Sequence, residues 1–197
     1  MRAFFALVFT FTISLAISLA PNSAAALVDT STTAAVVVDM QQGFYDRGGV
    51  SETVGLQNLV NRQIDLLKWA VAEKVPVLLF EYEGFGVTDP RLTAILKGHP
   101  YKRITKQSDD GFTTPSVKPA LKFLKKHGIK NLIMSGINGN ACVYSTTTGA
   151  ISFGYYVATS SDIVGNLNQN PPIYPNNTWY FKDNKFSIFA NLDEILY

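Results

Sequence analysis

The sequence is poor in the residues that build disulfide frameworks, metal sites and charged binding surfaces. Its 197 residues include one cysteine and two histidines, only 16% are charged, and the net charge is +2. One cysteine excludes an intramolecular disulfide framework, two histidines disfavour a His-rich metal site, and the small net charge indicates no nucleic-acid partner. The chain does have apolar side chains, at 47%, and aromatic ones, at 12%. This composition excludes a disordered chain and is sufficient for the core of a single domain.

The first 26 residues differ in composition from the rest of the chain. Arg2 is the only charged residue among them, residues 4–20 are apolar apart from Ser and Thr, and small residues fill positions 23–26. These features are typical of a secretory signal peptide. We therefore expect cleavage before Leu27, leaving residues 27–197 as one exported domain, periplasmic or extracellular, without stable membrane insertion. The alternative is an uncleaved anchor helix, in which the small-residue end would have no role.

Beyond this segment, short apolar runs alternate with amphipathic helical patterns. The apolar runs predict strands at residues 34–38, 76–80, 102–105, 131–135 and 155–159. Apolar spacings of three and four, with N-cap and glycine stop signals, predict helices at residues 56–72, 90–96, 115–127 and 141–153. The alternation predicts an α/β domain of three layers, αβα and Rossmann-like, around a mostly parallel sheet.

After residue 162 the pattern weakens. Residues 166–177 are rich in Asn and Pro and predict a loop. Residues 179–181 and 186–189 are candidate strands, and residues 192–196 predict a last helical turn.

Polar side chains follow several predicted strands at the point where each strand ends. These are Asp39, Glu81, Lys106 and, after the turn at residues 136–141, Cys142. Because the carboxyl ends of parallel strands meet at one edge of a sheet, which is where α/β domains bind ligands, we expect these side chains to converge.

The three residues Asp39, Lys106 and Cys142 offer complementary chemistry. Cys142 opens a helix, whose partial positive charge lowers the pKa of a thiol, and whose free N–H groups can stabilise an oxyanion. Asp39 is placed to accept the thiol proton, and Lys106 to keep Asp39 ionised. Each residue also has a structural interpretation, since lone cysteines are usually buried hydrophobes and an Asp after a strand often caps a loop.

Three sequence blocks, spread over residues 36–163, resemble the isochorismatase-like cysteine hydrolase superfamily, which includes nicotinamidases and related amidases. The blocks are VVVDMQQGFYD, with Asp39, Gln41 and Phe44; ITKQSDDGFTT, with Lys106 and Phe112; and GIKNLIMSGINGNACVYSTTTGAISFGYYVATSSD, with Cys142, Val143, Thr146, Ala150, Gly154 and Asp162. The resemblance implies a catalytic triad of Asp39, Lys106 and Cys142, with a thioester or thioimidate formed on the cysteine.

The resemblance also implies the surroundings of the triad. It places a non-proline cis peptide bond at Ile137–Asn138 and the oxyanion-binding turn at Ile137, Asn138 and Ala141. The candidate pocket residues Phe44, Phe112 and Tyr144 are aromatic side chains that flank the matching blocks, and such side chains commonly line pockets. Two further candidates are Gln41, which belongs to the first block, and Glu81, a candidate second acid at a strand end. Family members are often dimers or larger, so a homo-oligomer is compatible with the resemblance.

The chain departs from the family pattern in two places. Gly139 stands where many members have Thr. Between Asp39 and Lys106 the only histidine is His99, whereas nicotinamidases hold a metal there with an Asp and two His. We therefore predict neither a metal nor another cofactor, and nicotinamidase activity is disfavoured.

The leading hypothesis is an exported cysteine hydrolase that cleaves a small amide or related C–N bond in a small-molecule substrate. One alternative is a non-catalytic exported binding module on the same fold, in which Cys142 is structural. Another is a vinyl ether hydrolase of the isochorismatase type that does not use the cysteine.

Overall fold

The computed structural model describes residues 28–166 and 185–197. The predicted signal peptide, the strand at residues 179–181 and nearly all of the loop at residues 166–177 lie outside the described residues.

A parallel sheet forms the middle of the domain. Its strands run in the order β3-β2-β1-β4-β5-β7, with β6 paired to β4, and every pairing is parallel. This is the order of Rossmann-type sheets, so the predicted three-layer fold is confirmed. The strands are β1 (Thr33–Val38), β2 (Val77–Tyr82), β3 (Tyr101–Lys106), β4 (Asn131–Ile137), β5 (Tyr156–Ser160), β6 (Val164–Gly165) and β7 (Phe186–Phe189).

Helices connect the strands and cover the sheet. Those are α1 (Gln42–Gly48), α2 (Val54–Ala72), α3 (Pro90–Ile95), α4 (Val117–Lys126), α5 (Cys142–Ser152) and α6 (Asp193–Leu196). All six residues of β1 are buried, with no alternation between faces, because helices cover both faces of the central strands. Strand β3 lies at the sheet edge, and its first three residues are exposed.

Two of these elements, helix α1 and strand β6, were not predicted. Helix α1 contains Gly43 near its start, and glycine lowers helix propensity. Gly43 lies so close to Phe85 that an added Cβ would be 2.8 Å from the Phe85 carbonyl oxygen. The Gly43 N–H donates to that oxygen at 3.1 Å, so tertiary contact holds the helix in place. Strand β6 has only two residues and exists through its pairing with the end of β4. No described helix has the length and apolar character needed to span a membrane.

Candidate active site

Asp39 is fixed at the carboxyl end of β1 by backbone hydrogen bonds. Its N–H donates to the Phe80 carbonyl at 3.0 Å, and its own carbonyl accepts from the Gln41 N–H at 2.8 Å. The residue has a φ of 55°, a left-handed conformation that turns the chain sharply at the sheet edge. Its side chain is completely buried.

Lys106 ends β3, two strands away, and its long side chain reaches back to Asp39. Both side chains have no solvent exposure, and Lys106 Nζ lies 2.8 Å from Asp39 Oδ2. The same Nζ donates to the carbonyls of Ser108, at 2.9 Å, and Asp109, at 3.3 Å, and lies 4.3 Å from the centroid of the Tyr82 ring. A buried ammonium group requires partners of this kind, and Lys106 and Asp39 together form a fully desolvated ion pair.

Cys142 is the first residue of α5, directly after a tight turn, and is 4% exposed. The Ile137–Asn138 peptide bond is cis, at the position that the resemblance indicated. The Asn138 carbonyl accepts from the Ala141 N–H at 3.1 Å and from the Val143 N–H at 3.0 Å. Within the described residues the Cys142 N–H donates to no group. The amide free to bind an oxyanion is therefore that of Cys142, while that of Ala141 is used inside the turn.

Strand β6 and the residue that follows it accept hydrogen bonds from the turn. The Gly139 N–H donates to the Gly165 carbonyl at 2.8 Å, and the Asn140 N–H donates to Asn166 Oδ1 at 3.1 Å. Strand β6 therefore has a role at the site that its two residues did not reveal in the sequence.

The Cys142 thiol contacts two carboxylates. It donates to Asp109 Oδ1 with a sulfur–oxygen distance of 3.3 Å, and it is within hydrogen-bonding reach of Asp39. Sequence reasoning missed Asp109 as a site residue. The available signal was its place three residues after Lys106, in the block that carries the lysine.

Burial dominates the titration of the site. It raises the pKa of Asp39 to about 6, against the opposing charge of Lys106. It also raises the pKa of the Cys142 thiol, and the negative charge of Asp39 raises it further. The helix start favours the thiolate, but burial and the charge of Asp39 outweigh it, so the pKa of the thiol is raised overall. A helix terminus contributes about 0.3–2 kcal/mol, whereas full burial shifts a pKa by up to about 3–5 units, each worth about 1.4 kcal/mol. A raised pKa favours the neutral thiol, which needs a base to become a nucleophile.

Residues 33–174 match the family model for the isochorismatase domain. The chain belongs to the isochorismatase family. No curated protein sequence matches it significantly.

Solved structures with the same fold include three hydrolases of this kind. An octameric hydrolase of unknown specificity from Escherichia coli is 22% identical, covering 73% of this chain and 69% of its own, with a TM-score of 0.60. A nicotinamidase from Staphylococcus aureus is 18% identical, covering 72% and 88%, with a TM-score of 0.59. An N-carbamoylsarcosine amidase from Thermoplasma acidophilum is 16% identical, covering 80% and 95%, with a TM-score of 0.60. At these identities the likeness establishes the fold.

Two of the predicted pocket residues of this isochorismatase-family chain have structural partners. The Gln41 side chain donates to the carbonyls of Tyr82 and Gly86, at 3.1 and 2.6 Å, and accepts from the Tyr82 N–H at 2.7 Å. Glu81 accepts from the Thr88 N–H and hydroxyl, both at 2.7 Å, and pairs with Arg103 at 2.9 Å. Since Lys106 packs on Tyr82, the next residue in β2, strand alternation directs Glu81 to the opposite face of the sheet. Glu81 is therefore not brought together with the thiol.

The predicted aromatic residues divide between the site and the core. Phe44 stacks on Phe85, with centroids 4.0 Å apart, and meets Tyr82 edge to face, which places this cluster beside Lys106. Phe112 is 3% exposed and packs in the core against Phe80, with centroids 5.6 Å apart. Tyr144 lies half-buried in the first turn of α5.

Metal binding at the site would depend on its His, Cys, Asp and Glu side chains. Within residues 28–166 and 185–197, no group of three or more His, Cys, Asp or Glu side chains is placed to hold a metal ion. His99 instead contacts the Val75 carbonyl through its Nε2, at 2.7 Å, away from the carboxyl edge of the sheet.

Proposed function

We propose that the protein is a cysteine hydrolase that cleaves a small amide or related C–N bond, with Cys142 as nucleophile and Asp39 and Lys106 as its acid–base pair. The observation that supports this is the convergence of a thiol, a buried carboxyl and a buried ammonium group at one sheet edge. Amide hydrolysis needs a nucleophile, a proton carrier for the leaving nitrogen and a donor for the oxyanion. These three groups and the free Cys142 amide supply all of them.

In the first half of the proposed reaction, Asp39 takes the thiol proton as the Cys142 sulfur attacks the carbonyl carbon. The negative charge that forms on the carbonyl oxygen lies near the Cys142 N–H at the start of α5. Protonated Asp39 then gives its proton to the nitrogen, and the C–N bond breaks. The products of this half are a thioester on Cys142 and a free amine or ammonia.

In the second half, water attacks the thioester and Asp39 takes a proton from it. The C–S bond breaks, the carboxylic acid leaves, and the proton returns to the Cys142 sulfur. The pKa of about 6 for Asp39 suits both directions of transfer at neutral pH, because a carrier works best when its pKa is near the operating pH. Lys106 keeps the buried carboxyl from becoming permanently protonated.

The structurally similar nicotinamidase and N-carbamoylsarcosine amidase, by name, act on C–N bonds, which supports the proposed bond type. The similar octameric hydrolase supports the further proposal that this chain forms a homo-oligomer. Light scattering of the purified protein tests that point, and a monomer mass at micromolar concentration would contradict it.

The test of the proposed function is a screen of small amides, carbamoyl compounds and nitriles against the wild type and Cys142→Ala. We expect wild-type release of ammonia or amine, reduced on the order of a thousandfold or more in the variant. Ser152→Ala is the matched control, because Ser152 lies at the other end of the same helix, about 15 Å along its axis. Activity that survives Cys142→Ala would favour vinyl ether chemistry, and no activity with an unreactive thiol would favour a binding module.

Export remains part of the proposal, and it rests on the composition of the first 26 residues. Expression of the full chain in a secreting host followed by N-terminal sequencing tests it. We expect a mature protein starting within a couple of residues of Leu27. A protein that keeps Met1 inside the cell would contradict it.

A further inference from the structure

The charged side chains that the structure describes around the Cys142 sulfur are two carboxylates, Asp39 and Asp109, and one cation, Lys106. Lys106 and Asp39 compensate each other at 2.8 Å. Asp109 adds a second negative charge with its Oδ1 3.3 Å from the Cys142 sulfur. Among the described residues, no Lys, Arg or His forms a salt bridge with Asp109. The immediate surroundings of the sulfur therefore carry a net negative charge.

This charge is held in place by the main chain. The Asp109 carbonyl accepts from Lys106 Nζ at 3.3 Å and from the Thr146 hydroxyl at 3.1 Å, and the Gly111 N–H donates back to Thr146 at 3.0 Å. Neighbouring Asp110 turns its carboxylate away, where it accepts from the Phe112 N–H at 2.7 Å. The loop is thus anchored to both β3 and α5, and Asp109 is the carboxylate directed at the thiol.

Asp109 differs from Asp39 in its access to solvent. Asp39 is completely buried, whereas Asp109 is exposed. A molecule that approaches Cys142 therefore meets the Asp109 charge before it meets the buried ion pair. Like charges within a few ångströms repel and opposite charges attract, and a partly desolvated site strengthens both effects.

We propose that Asp109 is a specificity-determining residue that makes the Cys142 site accept cationic and uncharged substrates and reject anionic ones. This deepens the proposed function, on which it rests for the identity of the site. The substrate class is then a small amide or related compound that has an ammonium or neutral group near the scissile carbon and lacks a carboxylate there.

The experiment uses charged thiol reagents, so that it does not depend on finding the substrate. A methanethiosulfonate transfers its sulfenyl group to the cysteine sulfur: a new S–S bond forms, methanesulfinate leaves, and the thiol proton goes to solvent. Because Cys142 is the only cysteine, intact mass follows this one reaction. The probes are trimethylammonium-ethyl and sulfonatoethyl methanethiosulfonate, each referred to its rate with free N-acetylcysteine.

For the wild type we expect the cationic reagent to be favoured over the anionic one by roughly tenfold, the effect of one partly screened charge about 5 Å away. Asp109→Asn should reduce this preference to near that of the free thiol. The ratio of the two rates cancels any change in the amount of thiolate. Glu73→Gln is the matched control, since it also removes one exposed negative charge. Glu73 lies between α2 and β2, near the amino-terminal ends of the strands, whereas Cys142 lies near their carboxyl-terminal ends. It should leave the preference unchanged.

The outcomes separate the two proposals. A preference that is absent in the wild type, or unchanged in Asp109→Asn, would overturn the role of Asp109. A thiol that no reagent reaches in folded protein would overturn it as well. If the preference is present and depends on Asp109 while no amide or nitrile is hydrolysed, the charge selection stands and the proposed hydrolase function fails. In an active enzyme, Asp109→Asn should lower kcat/KM for cationic amides about tenfold and leave neutral ones within a fewfold.

Discussion

Asp39→Asn is expected to change how the stability of the protein depends on pH. Burial raises the pKa of Asp39 to about 6 from an ordinary value of 3.8. The folded state therefore binds this proton more tightly than the unfolded state, so the free energy of unfolding falls as pH rises from about 4 to above 6. A shift of about two units at about 1.4 kcal/mol each amounts to about 3 kcal/mol.

In the Asn variant this dependence should be missing, because an amide does not titrate. Lys106 loses its counter-charge but keeps the carbonyls of Ser108 and Asp109 as acceptors, which gives the variant a constant loss over the acid range. The difference in unfolding free energy between wild type and variant should therefore shift by about 3 kcal/mol in favour of the variant from about pH 4 to about pH 7.5.

Urea unfolding followed by circular dichroism at several pH values measures this difference. The subtraction removes the contributions of the other carboxylates, which the two proteins share. Glu73→Gln serves as a control for the loss of an exposed carboxyl group. A difference between wild type and Asp39→Asn that is constant with pH, or that moves the other way, would refute the claim that burial controls this carboxyl.

Four further results are expected. In an active enzyme, kcat/KM should rise with pH through about 6, because Asp39 must be ionised to take the thiol proton; initial rates test this, and a flat profile from pH 5 to 7 would contradict it. Gly136→Ala should cost about 3 kcal/mol or more in urea unfolding, because Gly136 has a φ of 131° and an added Cβ would collide with the Val38 backbone. Gly154→Ala, with a φ of 92° but open space around it, should cost only about 1 kcal/mol; equal losses would refute the steric argument. Arg62→Ala removes contacts to three carboxylates, and the arginine side chain is 28% exposed. In thermal melts the variant should lose about 1–2 kcal/mol of stability at low salt and less at high salt. A loss of stability that does not depend on salt would exclude an ionic origin.

The elements with a strong local pattern were predictable. The strands at the centre of the sheet are continuous apolar runs, so their positions differ from the prediction by only a residue or two at each end. The last strand and helical turn, at residues 186–189 and 192–196, were also found. Helix α1 and strand β6 were not, because contacts from distant residues stabilise them rather than their own composition.

The roles of individual polar residues were less predictable. Gln41 matched a family block and was expected in the pocket. Its side-chain amide instead hydrogen-bonds the backbone of Tyr82 and Gly86, at the end of β2 and in the loop after it. Glu81 stands at a strand end, as Lys106 does, but alternation sends it to the other face. Asp109 lies in the block that carries Lys106, but only the fold of its loop places its Oδ1 against the sulfur.

The sequence by itself determined the family and the parallel α/β architecture. It also determined that Asp39 and Lys106 stand at strand ends and that Cys142 opens a helix, since periodicity and motif spacing are local properties of the chain. The tertiary structure alone decided how those groups behave. Burial sets the pKa of Asp39 and of the thiol, and loop packing places Asp109 against the sulfur. Desolvation and charge–charge distance depend on every element packed around a group, so no local pattern can specify them.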